Sequence, residues 1–471
     1  MSAQDPIALL VGAGVGVGVD GEAWLVGGAL RDRLLGRAST DYDVALTGDP
    51  EPAARALARD ADGYAFLLSE GFGAWRVLAR TRAWQVDLVP LSADTIELDL
   101  ARRDLTINAI AQPLRGGELI DPLGGLTDLR GGRLRMASRA AFADDPLRTI
   151  RLARLACELG FHVEAETAVA AARNAPRLGG VAPERVFAEL SRIVSAHQAV
   201  AGLELMDTLG VTKQVLPELD GLRGIEQSRY HHLDVHEHTM AVLAQTIELE
   251  RDPHAVLGVQ GEAVRGLLAQ PLANELTRGQ ALRFGALFHD AAKPQTRGVS
   301  AEGKVTFIGH DEAGAQMARI ALARLRASER LSEHVAALAR HHLRLGFLVH
   351  QTPLSRRAIY RYLRACEPVG VDVTLLSVAD RLATLGSGAG EAIAKHLELA
   401  GEMLGEAFAW RSARPRPPVR GDRLARELGI PRGPGIGRVL AELEEASFAG
   451  EIHTPEQAIE LARVLIHGAG R

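Results

Sequence analysis

The pattern of hydrophobic and polar positions changes about a third of the way along the chain. Up to about residue 135, short apolar runs of strand length alternate with turn residues, as in AWLVGG, DYDVAL, AFLLSE, WRVLAR and WQVDLVPL. From about residue 140 onward, apolar residues recur at three-to-four spacing in stretches such as PLRTIRLARLACELGF and ERVFAELSRIVSAH, which is typical of amphipathic helices. We therefore predict an α+β chain with a small mixed sheet first and an almost wholly helical remainder.

Two breaks divide the helical remainder. Residues 217–230 are polar and rich in turn formers, and the stretch RSARPRPPVRG at 411–421 has the proline and arginine content typical of a linker. A length of 471 residues is also too great for one compact domain. The pattern and the breaks together predict four segments, at residues 1–138, 139–216, 229–400 and 411–471.

The composition is that of an ordinary globular protein, since 47% of the residues are apolar and 24% are charged. This excludes a disordered chain, a fibre and a disulfide scaffold. The two cysteines, Cys157 and Cys366, lie far apart in the sequence and indicate a reducing compartment. Every long apolar run is interrupted by polar residues, and the first residues lack the basic region of a signal peptide. We therefore expect a cytoplasmic protein without a membrane partner.

The charge leaves a nucleic-acid partner open. A net charge of −5 argues against a protein that binds any polyanion, although this value averages over several domains. Only four of the 54 basic residues are lysines, and arginine is the cation whose planar fork holds phosphate in a bidentate manner. The location of the arginines therefore matters more than the total charge.

The clearest candidate chemistry lies in LVGGALRDRLLGRASTDYDVAL at residues 25–46. This stretch predicts a strand that ends at Gly27 and Gly28, a helix that starts with Arg31, and a second strand with Asp41 and Asp43. Aspartates at i and i+2 share one face of a strand and can hold a divalent metal, while glycines let backbone N–H groups approach a phosphate. Turn glycines and solvated aspartates are the alternative, which accounts less well for an ordered set within seventeen residues.

A third carboxylate usually completes a two-metal site for phosphoryl transfer, and Asp87 in WQVDLV is the candidate. Further along, RRDLTINA places two arginines beside an acid, and DDPLRTIRLAR places Arg148, Arg151 and Arg154 on one helical face. Such a face can present guanidinium groups to a triphosphate or to the edge of a base. Taken alone, these arginines are better explained as a solvated helix face with an ion pair at its start.

Together these motifs resemble the bacterial tRNA nucleotidyltransferase and poly(A) polymerase family over about residues 20–215. The resemblance is carried by GGALRDRLLGR, DYD, RRDLTINAIA, DPLGG, DDPLRTIRLAR and PERVFAEL. It implies a nucleotidyltransferase head, a helical neck, and attack of a tRNA 3′-hydroxyl on the α-phosphate of CTP or ATP. The implied Mg²⁺ ligands are Asp41 and Asp43, with Asp87 as a third catalytic carboxylate. The implied nucleotide-binding residues are Gly27, Gly28, Arg31, Arg102, Arg103, Asp104, Asn108, Asp145, Arg148, Arg151 and Arg154.

In the resembled family an acid and an arginine hydrogen-bond the incoming base, and here these are Asp145 and Arg148. Only fifteen residues separate Val86 from Arg102. Family members commonly carry a longer loop there, and that loop is associated with the switch from C to A addition. We therefore expect either complete CCA addition or addition of the two cytidines alone, with a poly(A) polymerase as the alternative within the family.

Histidines and aspartates recur in order along the second half of the chain, in VHEHTM, FHDAAK, FIGHDE, RHHL and VADR. Imidazole and carboxylate ligands together suit a transition-metal or Mg/Mn site, and the order resembles the HD phosphohydrolase superfamily. The resemblance implies two divalent metals of the Mg, Mn, Ni or Fe class, with Lys293 near the substrate phosphate. The implied ligands are His238, His289, Asp290 and Asp380 for one metal, and His310 with His341 or His342 for the other.

His289 and Asp290 are predicted to lie on an apolar helix, where a charged pair is costly unless something binds it. Capped core histidines are the alternative, and for a single residue such as His236 that alternative is the better one. For the whole ordered set we favour a phosphohydrolase centre. Two further hypotheses stay open: an HD phosphohydrolase with an inactive head, and an RNA-binding protein with neither activity.

The last segment predicts helices around a Gly/Pro loop, GPGIG at 433–437. A loop of this kind before a helix can offer backbone amides to an RNA phosphate, and an ordinary connecting turn is an equal alternative. In the resembled family a similar module follows the HD domain, which favours contact with tRNA. The sequence leaves the oligomeric state open between monomer and dimer.

Overall fold

The computed structural model describes residues 5–15, 21–71, 73–227, 233–351, 353–384, 389–431 and 433–468. The end of the predicted break at 217–230 and the two histidines that follow it, residues 228–232, lie outside these ranges. The chain forms two compact units, Met1–Val215 and Leu216–Arg471.

The first unit begins with a six-stranded mixed sheet, as the alternating pattern predicts. The strands are β1 (Ala23–Val26), β2 (Asp41–Leu46), β3 (Tyr64–Ser69), β4 (Ala74–Leu78), β5 (Gln85–Pro90) and β6 (Ala111–Pro113). Their order in the sheet is β3-β4-β5-β2-β1-β6. Strands β2 and β5 are parallel, and the other neighbours are antiparallel.

Helices cover both faces of this sheet, which explains why β1 is buried along its whole length. Leu25 belongs to a core on one face, together with residues of α1 (Pro6–Gly12), α2 (Gly27–Leu34) and α3 (Glu51–Asp60). Its neighbours Trp24 and Val26 point the other way, into a second core with α4 (Ile96–Ala101). The face toward α4 is the one that carries the candidate carboxylates.

The rest of the first unit is helical, with one short strand pair, β7 (Arg133–Leu134) and β8 (His162–Val163). The helices are α5 (Gly125–Arg130), α6 (Ala141–Asp144), α7 (Arg148–Leu159), α8 (Ala165–Asn174), α9 (Pro183–Ser195), α10 (Ala199–Thr208) and α11 (Thr212–Val215). Helix α7 ends where Gly160 adopts a φ of 72°, the left-handed conformation that commonly stops a helix.

In the described residues of the second unit the regular structure is helical apart from two hairpins, β9 (Pro271–Ala273) with β10 (Leu276–Thr277) and β11 (Arg297–Val299) with β12 (Val305–Phe307). Its helices are α12 (Pro217–Asp220), α13 (Val235–Arg251), α14 (Pro253–Leu257), α15 (Gly261–Leu268), α16 (Arg278–Phe288), α17 (Lys293–Thr296), α18 (His310–Arg324), α19 (Glu329–His341), α20 (Arg344–Leu348), α21 (Arg356–Ala365), α22 (Gly370–Ala383), α23 (Ala389–Ser412), α24 (Gly421–Leu428), α25 (Pro434–Phe448) and α26 (Pro455–Gly468). The pattern did not predict the hairpins.

Two local predictions are wrong. Helix α2 begins at Gly27, four residues before Arg31, so the glycine pair forms the first turn of the helix rather than the end of the strand. Helix α16 ends at Phe288, so His289 and Asp290 lie just beyond it and not within an apolar helix. In both cases the candidate residues lie at a helix end, where some backbone groups have no partner within the helix.

Candidate active sites

Three carboxylates lie on the α4 face of the sheet in the first unit. Asp43 on β2 is directly paired with Asp87 on the parallel strand β5, and Asp41 is paired with Gln85 in the same register. Because side chains alternate along a strand, these residues share one face, while Val44 and Leu46 of β2 lie in the opposite core. The structure thus brings the three predicted catalytic aspartates to one patch.

Each carboxylate has a different environment. Asp41 accepts a hydrogen bond from the side chain of Gln85 at 2.9 Å, and Asp87 accepts a bidentate pair from Arg76, both at 2.7 Å. Burial raises the pKa of Asp43 to about 6, against the opposing charge of Arg103. The carboxylates of Asp41 and Asp87 add to that rise. Such crowding of negative charge fits a divalent cation with oxygen ligands.

Gly27 is required for the close approach of α2 to this patch. Its φ is +69°, and a Cβ atom there would lie 2.7 Å from Asp43 Oδ2 and 3.1 Å from Arg103 Nη1. Any other residue would combine a strained backbone with a steric clash against the candidate metal ligand. At Gly28 a Cβ would meet Arg31 Nη2 at 3.6 Å, an ordinary contact. The glycine pair therefore keeps the start of the helix free beside Asp43.

A buried network of hydrogen bonds lies next to the carboxylate patch. Arg31 Nη1 donates to Asn108 Oδ1 at 2.9 Å, and Asn108 Nδ2 donates to Asp104 Oδ1 at 2.9 Å. Arg151 completes the network, because its Nε and Nη2 lie 3.1 and 2.9 Å from Asp104 Oδ2. Although burial favours the neutral acid, Arg151 and Asn108 lower the pKa of Asp104 to about 2. Four predicted nucleotide-binding residues thus form one connected scaffold.

The two arginines of RRD occupy separate positions. Arg103 Nη2 lies 3.3 Å from Asp99 Oδ2, and this contact places its guanidinium beside Gly27 and the carboxylates. Arg102 is exposed and donates to the backbone carbonyl of Ser92. Asp99 was not predicted, and only the i, i+4 spacing ahead of Arg103 could have indicated it.

Arg148, one of the two residues predicted to select the base, contacts the backbone of the RRD segment (Arg102–Asp104). Its guanidinium donates to the backbone carbonyls of Arg102 at 2.9 Å and Arg103 at 3.3 Å. Asp145 Oδ1 accepts from the Leu147 amide at 3.1 Å, and its Oδ2 lies 3.0 Å from Arg185. The start of α7 therefore lies against the RRD turn, where base recognition was predicted.

Arg154 lies apart from this group. Its residue is 5% exposed, and its guanidinium pairs with Glu158 at 2.7 Å and with Glu189 at 2.5 Å. These contacts are those of a buried ion-pair network between α7 and α9, in which removal of one partner would leave an uncompensated charge. The structure does not bring Arg154 to the predicted nucleotide site.

The second unit holds a compact group of buried histidines around one aspartate. Ligand atoms of His238, His289 and Asp290 lie within 4.8 Å of one another, and so do those of Asp290, His310 and His342. Asp290 therefore belongs to both sets, as a carboxylate that bridges two metals would. Asp380 Oδ1 lies 3.0 Å from His238 Nε2 at the edge of the first set.

Three of the histidine rings are held in the orientation that ligands need. The Nδ1 atoms of His289, His310 and His342 lie 2.8, 2.6 and 2.7 Å from backbone carbonyls three residues earlier. A carbonyl only accepts, so each Nδ1 carries a proton and each Nε2 is directed toward Asp290, at 3.1 Å for His289, 3.3 Å for His310 and 3.7 Å for His342. Burial, together with the charge of His289, lowers the pKa of His342 to about 4. Its ring is therefore neutral at neutral pH.

The unsatisfied atoms at this centre also fit metal ions. His289 Nε2 and Asp290 Oδ1 are buried without a hydrogen-bond partner in the described part of the chain, and the Nε2 atoms of His310 and His342 face each other at 3.3 Å. Lys293 Nζ lies 2.6 Å from Asp290 Oδ2 and 2.7 Å from Gln227 Oε1. Two divalent cations at this centre would be coordinated by the Nε2 atoms of His289, His310 and His342 and by Asp290 Oδ1.

His341 does not join the histidine centre. Its Nδ1 accepts a hydrogen bond from Arg344 at 2.9 Å, whereas its neighbour His342 is buried against Asp290. The sequence left the two residues as alternatives, and the structure places His342 in the centre. Gln227 and Arg76 were not predicted at all. An arginine inside the apolar run AWRVLAR is a usable signal for Arg76, and Gln227 has none.

Three segments of the chain match described protein families. Residues 23–135 match "Poly A polymerase head domain", residues 160–222 match "Probable RNA and SrmB- binding site of polymerase A", and residues 235–385 match "HD domain". The first match contains the carboxylate patch, and the last contains the histidine centre.

Relatives cover nearly the whole chain. An A-adding tRNA nucleotidyltransferase of Deinococcus radiodurans is 38% identical over 93% of this chain and 94% of its own length. The chain belongs to the tRNA nucleotidyltransferase and poly(A) polymerase family. Another family member, a CC-adding tRNA nucleotidyltransferase of Thermus thermophilus, is 35% identical over 93% of this chain and 92% of its own. The protein is thus a nucleotidyltransferase that also carries an HD domain.

Family members of known structure share the fold. The Thermotoga maritima CCA-adding enzyme complexed with tRNA matches with a TM-score of 0.63 and 19% identity, over 99% of this chain and 97% of that one. A CCA-adding enzyme in complex with CTP matches with a TM-score of 0.64 and 20% identity, over 99% and 100% of the two chains. Among the described residues, no helix combines the length and apolar character needed to cross a bilayer.

Proposed function

We propose that the protein adds the two cytidines of the CCA end to tRNA and then stops. The 3′-hydroxyl of the tRNA attacks the α-phosphate of CTP, and pyrophosphate leaves. Asp41 and Asp43 would hold Mg²⁺, which when bound polarises the α-phosphate and neutralises the leaving pyrophosphate. Gly27 leaves backbone room for the triphosphate, and Arg103 adds a cation beside it. We also expect the enzyme to act in the cytoplasm, where tRNA is available.

Restriction to cytidine rests on one observation, the short connection between β5 and α4. Strand β5 ends at Pro90 and α4 begins at Ile96. The Ser92 amide and hydroxyl both donate to Asp99 Oδ1, at 3.0 and 2.7 Å, and its carbonyl accepts from Arg102. In the family, a longer loop at this place is associated with the switch from cytidine to adenosine addition. A connection this short, and held by these hydrogen bonds, lacks the freedom to change the base pocket in that way.

Addition of the terminal adenosine is the second candidate, because the Deinococcus radiodurans relative is an A-adding enzyme at 38% identity. Incorporation on three tRNA transcripts, ending before CCA, after C and after CC, separates the candidates. We expect CTP to extend the first transcript by two and ATP to be refused. Addition of a single adenosine to the last transcript alone would indicate an A-adding enzyme. Addition of adenosine after two cytidines would indicate a complete CCA-adding enzyme. Long adenosine tails would indicate a poly(A) polymerase.

We propose further that the histidine centre is a metal-dependent phosphohydrolase. Its support is the pair of ligand sets that share Asp290, with Lys293 beside them to hold a phosphate oxygen. Two metal ions bound there would supply an activated water and neutralise charge on the phosphoester. Hydrolysis of p-nitrophenyl phosphate esters in the presence of Mn²⁺, Ni²⁺ or Mg²⁺ tests this proposal. We expect His310→Ala to abolish hydrolysis and the exposed control His254→Ala to retain it, whereas full activity of His310→Ala would refute the assignment.

A further inference from the structure

Two clefts of similar size open on the histidine centre. The first, called here the lysine cleft, has a volume of about 470 Å³ and is lined by Gln227, Lys293, Phe307, Ile308 and His310. The second, called the arginine cleft, has a volume of about 420 Å³ and is lined by His342, Gly346, Ser377, Asp380, Arg381 and His396. Both clefts also share Leu343 and Phe347, which form the wall between them.

Each cleft includes candidate metal ligands of its own. His310 lines the lysine cleft, whereas His342 and Asp380 line the arginine cleft. The Nε2 atoms of His310 and His342 are only 3.3 Å apart, so the two clefts meet at the metal centre. A phosphate bound at the metals therefore has room for a substituent on either side of it.

The lysine cleft has the surface that a nucleobase requires. Phe347 is 67% exposed and Ile308 is 86% exposed, so the cleft presents an apolar surface beside the polar centre. Lys293 Nζ lies 5.4 Å from the centroid of the Phe307 ring and 2.6 Å from Asp290. An aromatic surface next to a cation can stack a base while the cation contacts its phosphate.

The arginine cleft offers polar groups that suit a second nucleoside. Ser377 Oγ and His396 Nε2 are buried and lie 3.1 Å apart, so they form a fixed polar pair at the cleft wall. The Nε of Arg381 is buried without a hydrogen-bond partner among the described residues. A hydroxyl or carbonyl oxygen of a sugar or a base would accept a hydrogen bond from this Nε.

We propose that the histidine centre acts on a phosphodiester that joins two nucleosides, with one nucleoside in each cleft. This inference rests on the phosphohydrolase activity proposed above. In the reaction the oxygen of a water molecule bonds to phosphorus, one ester P–O bond breaks, and the departing nucleoside hydroxyl takes the proton. The products are a nucleoside phosphomonoester and a nucleoside. A phosphomonoester, or a 2′,3′-cyclic phosphate whose two ester bonds belong to one sugar, occupies one cleft only.

Filling the arginine cleft tests the inference. A Cβ at Gly346 would meet no atom within 4 Å, so Gly346→Leu extends into the cleft without a steric clash at the backbone. Ala392→Leu fills the same cleft from α23 and serves if the first variant fails to fold. Gly266→Leu is the matched control, since Gly266 is an exposed glycine of α15 with equally open space around it.

Two readouts are needed, one of which does not depend on turnover. The first is kcat/KM of the Mn²⁺-loaded protein for bis-p-nitrophenyl phosphate, a diester, relative to p-nitrophenyl phosphate, a monoester. The second is the Kd of the metal-free protein for the dinucleotide adenylyl-(3′→5′)-adenosine, measured by calorimetry. In the wild type we expect the diester to be preferred by about tenfold or more, since both clefts contribute binding.

Both cleft-filling variants should lower the diester preference and weaken dinucleotide binding by about tenfold each, whereas Gly266→Leu should change neither. Equal losses on the monoester and the diester, or unchanged dinucleotide binding, would overturn the two-cleft proposal. If the wild type hydrolyses neither ester but Gly346→Leu still weakens dinucleotide binding, the phosphohydrolase assignment fails and the two-cleft binding site stands.

Discussion

The two candidate metal sites of this protein differ in how completely the protein alone builds them. In the head, Asp41, Asp43 and Asp87 lie side by side on the α4 face of the sheet, and Asp87 is held by Arg76. In the HD domain, the ligand atoms of two sets already lie within 4.8 Å of one another, and no comparable set of three occurs elsewhere in the described residues. The head site is partly exposed and lacks ligands, whereas the histidine centre is buried and its ligand set is nearly complete.

This difference indicates two ways to use a metal. Phosphate oxygens of a nucleotide can complete the coordination of Mg²⁺ at the head, because Mg²⁺ is usually held by one or two carboxylates together with substrate phosphates. The histidine centre does not depend on substrate oxygens in this way, since its candidate ligands already lie together and three of the rings are oriented by hydrogen bonds from Nδ1 to backbone carbonyls. We therefore expect an exchangeable metal in the head and a resident metal in the HD domain.

The largest expected effect comes from removing one ligand at each site. Asp43→Ala should lower nucleotide incorporation by about a thousandfold or more and leave ester hydrolysis intact, because it removes a proposed Mg²⁺ ligand from the head alone. His289→Ala should do the reverse. Both activities are measured on the same preparations, with the exposed Asp60→Asn as the control. Incorporation that survives Asp43→Ala would show that the carboxylate patch is not the catalytic site.

Metal retention should separate the sites next. After gel filtration without added metal, we expect elemental analysis to find metal in the wild type and little or none in His289→Ala, since the buried centre releases its ions slowly. Incorporation by the same wild-type sample should require added Mg²⁺. If Asp43→Ala rather than His289→Ala loses the retained metal, the comparison is reversed.

The two sites were not equally predictable from the sequence. Alternation along DYDVAL was enough to place Asp41 and Asp43 on one face of a strand, because side chains in strands alternate strictly. Asp87 was a candidate only as the usual third carboxylate, and its place beside Asp43 depends on the pairing of β2 with β5. Alternation also could not show that Arg76 holds Asp87, since that contact depends on the pairing of β4 with β5. Local signals report which face a side chain takes, and they carry no register between distant strands.

At the histidine centre the sequence supplied the ligands but not their arrangement. It left His341 and His342 as alternatives, and only the turn at the end of α19 decides that His342 faces Asp290. It also placed His289 and Asp290 inside a helix, whereas α16 ends one residue earlier. Helix ends are set by caps and tertiary contacts, which an apolar periodicity does not resolve.

A pH titration tests the role of Asp43 in the head site. With the pKa of Asp43 raised to about 6, Mg²⁺ has to displace a proton below that pH. The half-saturating Mg²⁺ concentration for incorporation should therefore rise by about tenfold for each pH unit below 6 and stay level above 7. Saturating Mg²⁺ should restore the rate. A fall in the incorporation rate at acid pH that no Mg²⁺ concentration reverses would show that a group other than Asp43 is being protonated.

The smallest expected effect concerns the ion pair that keeps the head site incomplete. Arg76→Gln removes the charge that neutralises Asp87, so the carboxylates should attract Mg²⁺ more strongly and the half-saturating concentration should fall by about fivefold, as suits a partly exposed pair. Arg80→Gln, which removes an exposed pair with Asp62, is the control. If Arg76→Gln leaves the Mg²⁺ requirement unchanged or raises it, Asp87 acts by holding Arg76 in place rather than by meeting the metal, and the head would be a site of two carboxylates.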